Sequence, residues 1–369
     1  MIVLKPMLQR VISRQTSSKE VNYVIHLFRT HFGAIVLVHE AGHLITAKLF
    51  NVYCKEFSIG MGPKIYTFKG KETSYSLRLL PVGGFVSMAG EEGSEDTGIP
   101  FERSIKGIKP WKRMIVILAG IFMNIVLAWV IFVGMFIYNG QAVVAPKAVI
   151  AGVTENSPAE AAGFLYGDEI KKLTFSDGTY IIPTDFYDIV TYVQLYTDQI
   201  TFNVLREGET LNIKVTPEYI KAENRYFLGL KIPASTVVKI NPIQAIGYGT
   251  NSIVTTTQDI FSTLSRLVRG IGLQAVSGPI GIFDVTAQSA KQGVDSLILL
   301  MGILSLNVGI FNLLPVPLLD GGRVLITAVE MIVRKPINKK FEQILMLGSA
   351  ALMILLVVLV TWQDLLRLL

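Results

Sequence analysis

The chain has 369 residues, of which 51% are hydrophobic and only 17% are charged. Soluble domains carry about 25% charged residues, so this composition indicates a membrane protein. The single cysteine, Cys54, excludes a disulfide scaffold and any zinc site built on cysteines. The net charge of +6 suits the basic side of a membrane protein. Because the sequence has no basic cluster with interleaved aromatic residues, no nucleic acid partner is expected.

Residues 1–31 form an atypical N-terminal segment. Basic residues interrupt its short apolar stretches, so it lacks the continuous apolar region of a signal peptide. We interpret it either as an extension or misassigned start, or as an amphipathic helix that lies at the membrane interface.

Four segments are long and apolar enough to cross a bilayer, for which about 20 residues suffice. In chain order they are residues 32–50, 114–138, 295–320 and 344–362. The first span is the least apolar of the four, because two histidines and a glutamate lie inside it. Since ionisable residues inside a span are unfavourable and usually functional, this span is the most informative about function.

The segments between the spans differ in character. Residues 51–113 contain short strand-like stretches separated by Gly-rich turns, which predict a β-hairpin region. Residues 146–217 combine Val- and Ile-rich strands with a short helix that begins at Ser157, and they predict a small α/β domain. Residues 218–294 are interpreted as a linker that contains an amphipathic helix.

The distribution of basic residues predicts the orientation. The segment 51–113 holds ten Lys and Arg residues, whereas residues 139–170 hold only Lys147. The positive-inside rule therefore predicts that 51–113 lies in the cytosol and that the domain 146–217 lies outside. The expected fold is a polytopic α-helical membrane protein with four transmembrane spans, a cytosolic-side β-hairpin region and an inserted extracytoplasmic α/β domain.

His39, Glu40 and His43 form an H-E-x-x-H motif in the first span. Residues four apart lie on one face of a helix, so both imidazoles can bind one metal ion. Zinc lowers the pKa of a bound water molecule to about 7, and Glu40 is then placed to act as the general base. The alternative is a chance match with two hydrogen-bonded histidines. It is disfavoured because three unpaired ionisable groups inside a span would be costly.

A catalytic zinc site needs a third protein ligand and an open position. No third histidine follows the motif, so the candidate is Asp320 within residues 312–322, NLLPVPLLDGG. Asn312 and two prolines break the third span, and irregular backbone at membrane depth is tolerated only beside a protein-lined cavity. The first and third spans run in the same direction, so His39, His43 and Asp320 can meet at one depth. The alternative is that Asp-Gly-Gly is a simple turn.

The two motifs together resemble the site-2 protease family of intramembrane zinc metalloproteases, and within it the bacterial RIP metalloproteases of the RseP type. The resemblance extends from about residue 32 to residue 369. Residues 78–90, 119–124 and 277–282 resemble further segments of that family, although Ile121 stands where the family usually has proline. Asn124, inside the second span, is predicted to form an interhelical hydrogen bond and is not assigned a catalytic role.

The resemblance implies a zinc-dependent metalloendopeptidase of the bacterial inner membrane, with its active site toward the cytosol. Its substrates would be single-span membrane proteins, such as anti-sigma factors or remnant signal peptides. Residues 146–217 resemble a single PDZ domain, which would bind peptides by strand addition or act as a size filter. The strands within 51–113 resemble the membrane-associated hairpin of the family, whose edge could pair with an extended substrate, although an ordinary cytosolic hairpin is the alternative.

The role of Asn312 and the function of the chain both keep alternatives at the sequence level. Asn312 either binds the backbone of an unwound substrate or only caps the broken helix. A membrane metal carrier or sensor with the same His/His/Asp ligands is the alternative function, although transporters usually contain paired broken segments and this sequence has one. A catalytically inactive PDZ-bearing scaffold is a third possibility.

Overall fold

The computed structural model describes residues 18–91, 98–221, 225–269, 276 and 278–368. Several parts of the sequence predictions lie outside the described residues: 1–17 of the N-terminal segment, 92–97 of the hairpin region, 222–224 and 270–275 of the linker, and Ser277. The chain divides into two units. The larger takes its described residues from 1–138, 245–268 and 273–369, and the smaller from 139–244 and 269–272.

Helices dominate the larger unit, and short strands dominate the smaller one. The helices are α1 (Ser18–Leu49), α2 (Pro110–Asn139), α3 (Pro158–Ala161), α4 (Phe186–Leu195), α5 (Pro242–Val268), α6 (Pro279–Gln292), α7 (Val294–Asn312), α8 (Asp320–Val333) and α9 (Lys339–Leu368). The strands are β1 (Cys54–Lys69), β2 (Ser74–Met88), β3 (Gln141–Val144), β4 (Glu169–Thr174), β5 (Tyr180–Ile181), β6 (Ile200–Arg206), β7 (Glu209–Val215), β8 (Glu218–Ile220), β9 (Arg225–Phe227) and β10 (Thr236–Lys239).

Within the described residues, four helices are long and apolar enough to cross a membrane, namely α1, α2, α7 and α9. Each overlaps one of the four predicted spans. Helices α2 and α9 extend beyond the predicted segments at both ends. Charged residues set the predicted limits, and a charge at the membrane surface does not interrupt backbone hydrogen bonding.

Helix α1 begins at Ser18, well before the predicted start of the first span at residue 32. The predicted boundary rested on Arg29 and His31, yet polar side chains are tolerated inside a helix. The ring Nδ1 of His31 lies 2.7 Å from the carbonyl oxygen of Leu27, one turn earlier. The described part of the predicted N-terminal segment is therefore helically continuous with the first span.

The predicted third span, residues 295–320, consists of two helices joined by a turn. Helix α7 ends at Asn312 and α8 begins at Asp320. Two prolines lie between them, and proline has no N–H to continue a helix. The turn packs tightly against the start of α8, because a Cβ atom on Gly321 would lie 2.1 Å from a backbone carbonyl oxygen. The sequence therefore predicts the break, whereas the new helix at Asp320 is a finding of the structure.

Strands β1 and β2 pair antiparallel in the predicted hairpin region. Glu56 pairs with both Ser87 and Ser74, so the beginning of β1 lies between the two halves of β2. Several register shifts interrupt the ladder, and such bulges bend a sheet. One part of the sheet exposes large apolar side chains, those of Met61, Ile65, Tyr66, Phe68, Leu77 and Leu79.

Two apolar clusters hold the larger unit together. The first joins the end of α1, the sheet and the start of α2, and its buried members are Ala47, Val52, Cys54, Phe57, Val86, Met88, Ile105 and Val116. The second joins α2 and α7 through Ala128, Phe132, Leu306 and Ile310. A Cβ atom on Gly302 would lie 2.9 Å from the ring of Phe132, so glycine permits the close approach of α2 and α7. These contacts position α2 against both α1 and α7.

The smaller unit contains a four-stranded sheet in the order β5-β4-β6-β7, with α3 and α4 beside it. Its core is apolar and includes the fully buried side chains of Ile150, Phe186 and Phe202. The predicted short helix is present as α3, where the hydroxyl of Ser157 accepts the N–H of Glu160. The two further strand pairs are β3 with β10 and β8 with β9.

Candidate active site

His39 and His43 lie on one face of α1, as their spacing predicts, and both are buried. Their Nε2 atoms are 3.2 Å apart, so the two rings point toward a common position. The rings are nearly perpendicular, at 82°. One turn of helix therefore brings two imidazole nitrogens together inside the helical unit.

Asp320 reaches the same position from the first residue of α8. Its Oδ2 atom lies 3.0 Å from Nε2 of His39 and 3.4 Å from Nε2 of His43. All three atoms lie within 4.8 Å of one another, which makes these residues a possible metal-binding group. The structure thus brings the three predicted ligands together across about 280 residues of sequence.

The chemistry of these three atoms fits a zinc ion. Among the described residues, Oδ2 of Asp320 is a buried oxygen to which no hydrogen bond is donated with acceptable geometry. Two imidazole nitrogens and a carboxylate oxygen are ligands that zinc binds in catalytic sites, where a fourth position stays open. A divalent cation would satisfy the converging lone pairs, which otherwise face one another.

Helix α2 forms the wall behind the two histidines. The Nδ1 atom of His43 lies 2.8 Å from the backbone carbonyl oxygen of Val116. One turn further along α2, a Cβ atom on Gly120 would lie 2.4 Å from Nε2 of His43 and 2.8 Å from Cε1 of His39. Only glycine lets α2 approach this closely.

Asn124 lies one further turn along α2 and is fully buried. Its side-chain amide is 3.2 Å from Nδ1 of His39. The predicted interhelical hydrogen bond of Asn124 therefore reaches a candidate metal ligand. No motif in the sequence links Asn124 to His39, although Val116, Gly120 and Asn124 follow one another at the four-residue spacing of a single helix face.

Glu40 follows His39 directly and lines the cavity into which the three ligand atoms open. The cavity has a volume of about 560 Å³. The carboxylate of Glu40 interacts with the backbone of Val86 on β2, and a Cβ atom on Gly84 would lie 3.5 Å from its Cγ. The predicted general base is therefore held between α1 and the edge of the sheet.

Ion pairs form part of the cavity lining. Arg113 at the start of α2 pairs with Glu330 of α8. Arg323 of α8 lies 3.3 Å from Glu91, and Lys106 lies 3.6 Å from Glu342 of α9; all six residues line the cavity. Charged side chains therefore form much of the cavity lining, and most of them lie on the surrounding helices.

Asn312 ends α7 and is half-buried. The described residues that line the cavity do not include it. Its suggested role in binding the substrate backbone remains a prediction.

Glu56 holds the sheet together beside the site. Its carboxylate accepts hydrogen bonds from Ser76, from Lys64 at 2.9 Å and from Arg78 at 2.8 Å. Partial burial acts to raise the pKa of Glu56, but these three donors outweigh it and lower the pKa from 4.5 to about 2. Glu56 is therefore ionised throughout the physiological range.

Comparison with known proteins identifies the class. The profile of peptidase family M50 matches residues 27–356. The regulator of sigma-W protease RasP of Bacillus subtilis is 34% identical, over 94% of this chain and 99% of its own length. The zinc metalloprotease RasP of Bacillus licheniformis is 32% identical, over 91% of this chain and 97% of its own length. The chain belongs to peptidase family M50.

Proposed function

We propose that this chain is an intramembrane zinc metalloprotease that hydrolyses peptide bonds in single-span membrane proteins. The observation that carries the proposal is the convergence of His39, His43 and Asp320, with Glu40 beside them, inside a unit built from apolar helices. Membership of family M50 and relatives named as zinc metalloproteases support both the reaction and the metal.

In this proposal His39, His43 and Asp320 hold the zinc ion. When bound, zinc polarises the scissile carbonyl and activates a water molecule for attack. Glu40 accepts the proton of that water and later delivers it to the leaving amine. The burial of the two histidines and the apolar wall of α2 limit water at the site, and a drier site strengthens the electrostatic interactions that the reaction uses.

A helical substrate has to unwind before attack, because its backbone carbonyls are hydrogen-bonded and covered by side chains. We expect residues with weak helix propensity near the cleaved bond. The outer strand of the sheet, which includes Val86, borders Glu40, and its edge is suited to pair with an extended segment. Asn312 would then bind the unwound backbone, although capping of α7 alone is the competing role.

The topology is also a proposal. The ten basic residues of 51–113 favour a cytosolic position for the sheet and for the entrance to the site. The exposed apolar side chains of the sheet suit contact with the bilayer. The smaller unit, proposed to be a PDZ-like domain over 146–217, would then lie outside the bacterial inner membrane and either bind peptides or limit substrate size.

The name of the Bacillus subtilis relative, a regulator of sigma-W protease, favours membrane-bound regulators of transcription as one substrate class. Anti-sigma factors that another protease has already shortened fit this class. Remnant signal peptides are the second class, because they are also single apolar helices with a short outer end.

The direct test replaces Glu40 with glutamine and measures cleavage of a purified single-span substrate whose outer part has been shortened. We expect cleavage to fall by at least about 1,000-fold, because the general base is lost. The matched control is Glu102→Gln, an exposed glutamate of the same larger unit, and it should cleave normally. Cleavage by Glu40→Gln at the wild-type rate would contradict the proposal.

The same variant separates the competing functions. A metal carrier or sensor keeps its transport or metal binding in Glu40→Gln, because Glu40 is not one of the three ligands. A catalytically inactive scaffold predicts almost no zinc in the purified wild-type protein. The protease predicts about one zinc ion per chain in both the wild type and Glu40→Gln, with activity only in the wild type.

A further inference from the structure

We infer that Asn124 is a positioning residue that sets the orientation and the tautomer of His39. The inference rests on the proposed assignment of His39 as a metal ligand. It concerns a residue that touches neither the ion nor the substrate. Its basis is a polar contact between α2 and α1 that is completely shielded from solvent.

The proton of His39 must lie on the ring nitrogen that does not face the ligand position. A neutral imidazole carries one ring proton, and a nitrogen that binds a metal must offer a lone pair. Nε2 of His39 is the atom that faces His43 and Asp320, so its proton has to be on Nδ1. Nδ1 is then a buried donor that needs an acceptor, because a buried N–H without a hydrogen bond destabilises the folded site.

The side-chain amide of Asn124 is the acceptor for this proton. The amide of Asn124 is 3.2 Å from Nδ1, and its Oδ1 is a buried oxygen with no donor among the described residues. The two ends of an asparagine amide have nearly the same shape and are assigned from their partners. Rotating the amide by 180° places Oδ1 on the Nδ1 proton of His39 and gives the buried donor its acceptor. The same contact holds the ring in the plane that directs Nε2 to the ligand position.

Contacts with α7 hold Asn124 in place behind His39. The hydroxyl of Ser305 on α7 donates to the backbone carbonyl oxygen of Asn124 at 2.9 Å. A Cβ atom on Gly309 would lie 3.4 Å from the Cβ of Asn124, so α7 packs directly behind it. Asn124 is therefore fixed from one side by α7 and holds His39 on the other.

His43 has a matching arrangement with a different acceptor. The backbone carbonyl oxygen of Val116 accepts a hydrogen bond from Nδ1 of His43 at 2.8 Å. Val116 lies two turns before Asn124 on the same face of α2. Helix α2 thus supplies one acceptor for each imidazole. The His43 contact uses the main chain and is insensitive to the side chain at 116, whereas the His39 contact depends on the side chain at 124.

The test measures zinc affinity of the purified full-length protein in detergent, by competition with a chelator of known affinity. Asn124→Leu removes the acceptor and keeps a similar branched shape. We expect zinc to bind 10- to 100-fold more weakly, as is usual when the hydrogen-bond partner of a metal-binding histidine is lost. Asn124→Asp keeps an oxygen acceptor at the same place, and its zinc affinity should stay within about threefold of the wild type or increase.

Two controls exclude a general packing defect. Thr286→Val removes a buried hydroxyl that donates to the carbonyl oxygen of Ile282 within α6, away from the residues that line the cavity, so zinc affinity should stay within about threefold of the wild type. The unfolding temperature of each metal-free variant is measured alongside. A packing role predicts that Asn124→Leu and Asn124→Asp lower this temperature and the zinc affinity together, with Asp the worse because it buries a charge.

Wild-type zinc affinity in folded Asn124→Leu would overturn the inference, as would a loss of tenfold or more in Asn124→Asp. If Asn124→Leu does not fold, Asn124→Ala, which also removes the acceptor, takes its place; weaker zinc binding then supports the inference and wild-type affinity overturns it. A wild-type chain that binds no zinc would instead reject the proposed metal site. The two failures are therefore distinguishable.

Discussion

Replacing Gly120 with alanine should inactivate the enzyme, although the substitution raises the helix propensity of α2. Alanine is preferred over glycine in a helix by about 1 kcal/mol, so the substitution alone would stabilise α2. The new methyl group, however, would lie 2.4 Å from Nε2 of His43 and 2.8 Å from Cε1 of His39. The steric clash of the methyl group with the two histidine rings therefore opposes the gain in helix propensity.

The distances give the size of the displacement. Ordinary van der Waals contact begins at 3.4 Å, so His43 or α2 must move by about 1 Å. His43 has little freedom, since its other ring nitrogen is hydrogen-bonded to the backbone of Val116 on the same helix. A displacement of 1 Å at a catalytic site costs about 100-fold in rate. We therefore expect cleavage by Gly120→Ala to fall at least 100-fold and bound zinc to decrease.

The assay compares Gly120→Ala with Gly134→Ala on the same helix. A Cβ atom on Gly134 meets no atom within 4 Å, so this control gains the same helix propensity without the contact. Cleavage of a shortened single-span substrate and zinc per chain are measured for both variants. Wild-type cleavage and zinc content in Gly120→Ala would refute the packing of α2 against the two histidines.

Three further predictions follow from other parts of the molecule. Asp320→Asn should lose most of its bound zinc because a neutral amide is a poor ligand, whereas Asp295→Asn at the exposed start of α7 should keep it; equal zinc content by elemental analysis would contradict the ligand assignment. Arg206→Met should destabilise the smaller unit by about 3 kcal/mol, because Arg206 donates at 2.7 Å to both oxygens of the fully buried Asp168. Amide exchange in 139–221 of the full chain should therefore accelerate about 100-fold, whereas the control Lys171→Met, at an exposed position, should leave it unchanged. The contribution of Glu56 to the stability of the sheet should be lost as the pH falls from 4.5 through about 2, because a carboxylate whose pKa is lowered in the folded state stabilises that state only while it is ionised. The difference in amide exchange of β1 between the wild type and Glu56→Gln should therefore shrink over this range, and a constant difference would argue against ionised Glu56 as its source.

Hydropathy and spacing were sufficient to predict the spans and the common face of His39 and His43. The break in the third span and its shared direction with the first span predicted Asp320 as the third candidate ligand. Long uncharged runs predict α2 and α9, because an apolar run of this length is recognisable as a membrane span without reference to its neighbours. The four-residue spacing of His39 and His43 predicts their common face for the same reason, since it depends on a single helix. Apolar runs and helical spacing each depend on one continuous segment, so they can be predicted from the sequence alone.

The limits of the predicted elements were less accurate for a physical reason. Charges at positions 29 and 31 mark the edge of an apolar run, but α1 continues through them because its hydrogen bonds are internal to the backbone. Residues 312–320 were predicted to break the third span, yet the return of the chain into a new helix at Asp320 depends on the tight packing of two glycines. Composition alone does not contain that contact.

The part of the site that the sequence analysis missed lies on the second helix, because a metal-binding motif identifies ligands without specifying what orients them. A histidine on a helix can rotate about two side-chain bonds, and α1 alone leaves both rings free to do so. Orientation requires a second surface at close range, and a helix can supply it only where a small residue lets it approach. Val116, Gly120 and Asn124 meet this requirement on one face of α2, with an acceptor on each side of a glycine. The sequence signal to seek beside an H-E-x-x-H helix is therefore a polar residue one turn from a glycine in an otherwise apolar span. The glycine allows the neighbouring helix to approach closely, and a polar side chain inside a span is unfavourable unless it binds a group on that neighbouring helix.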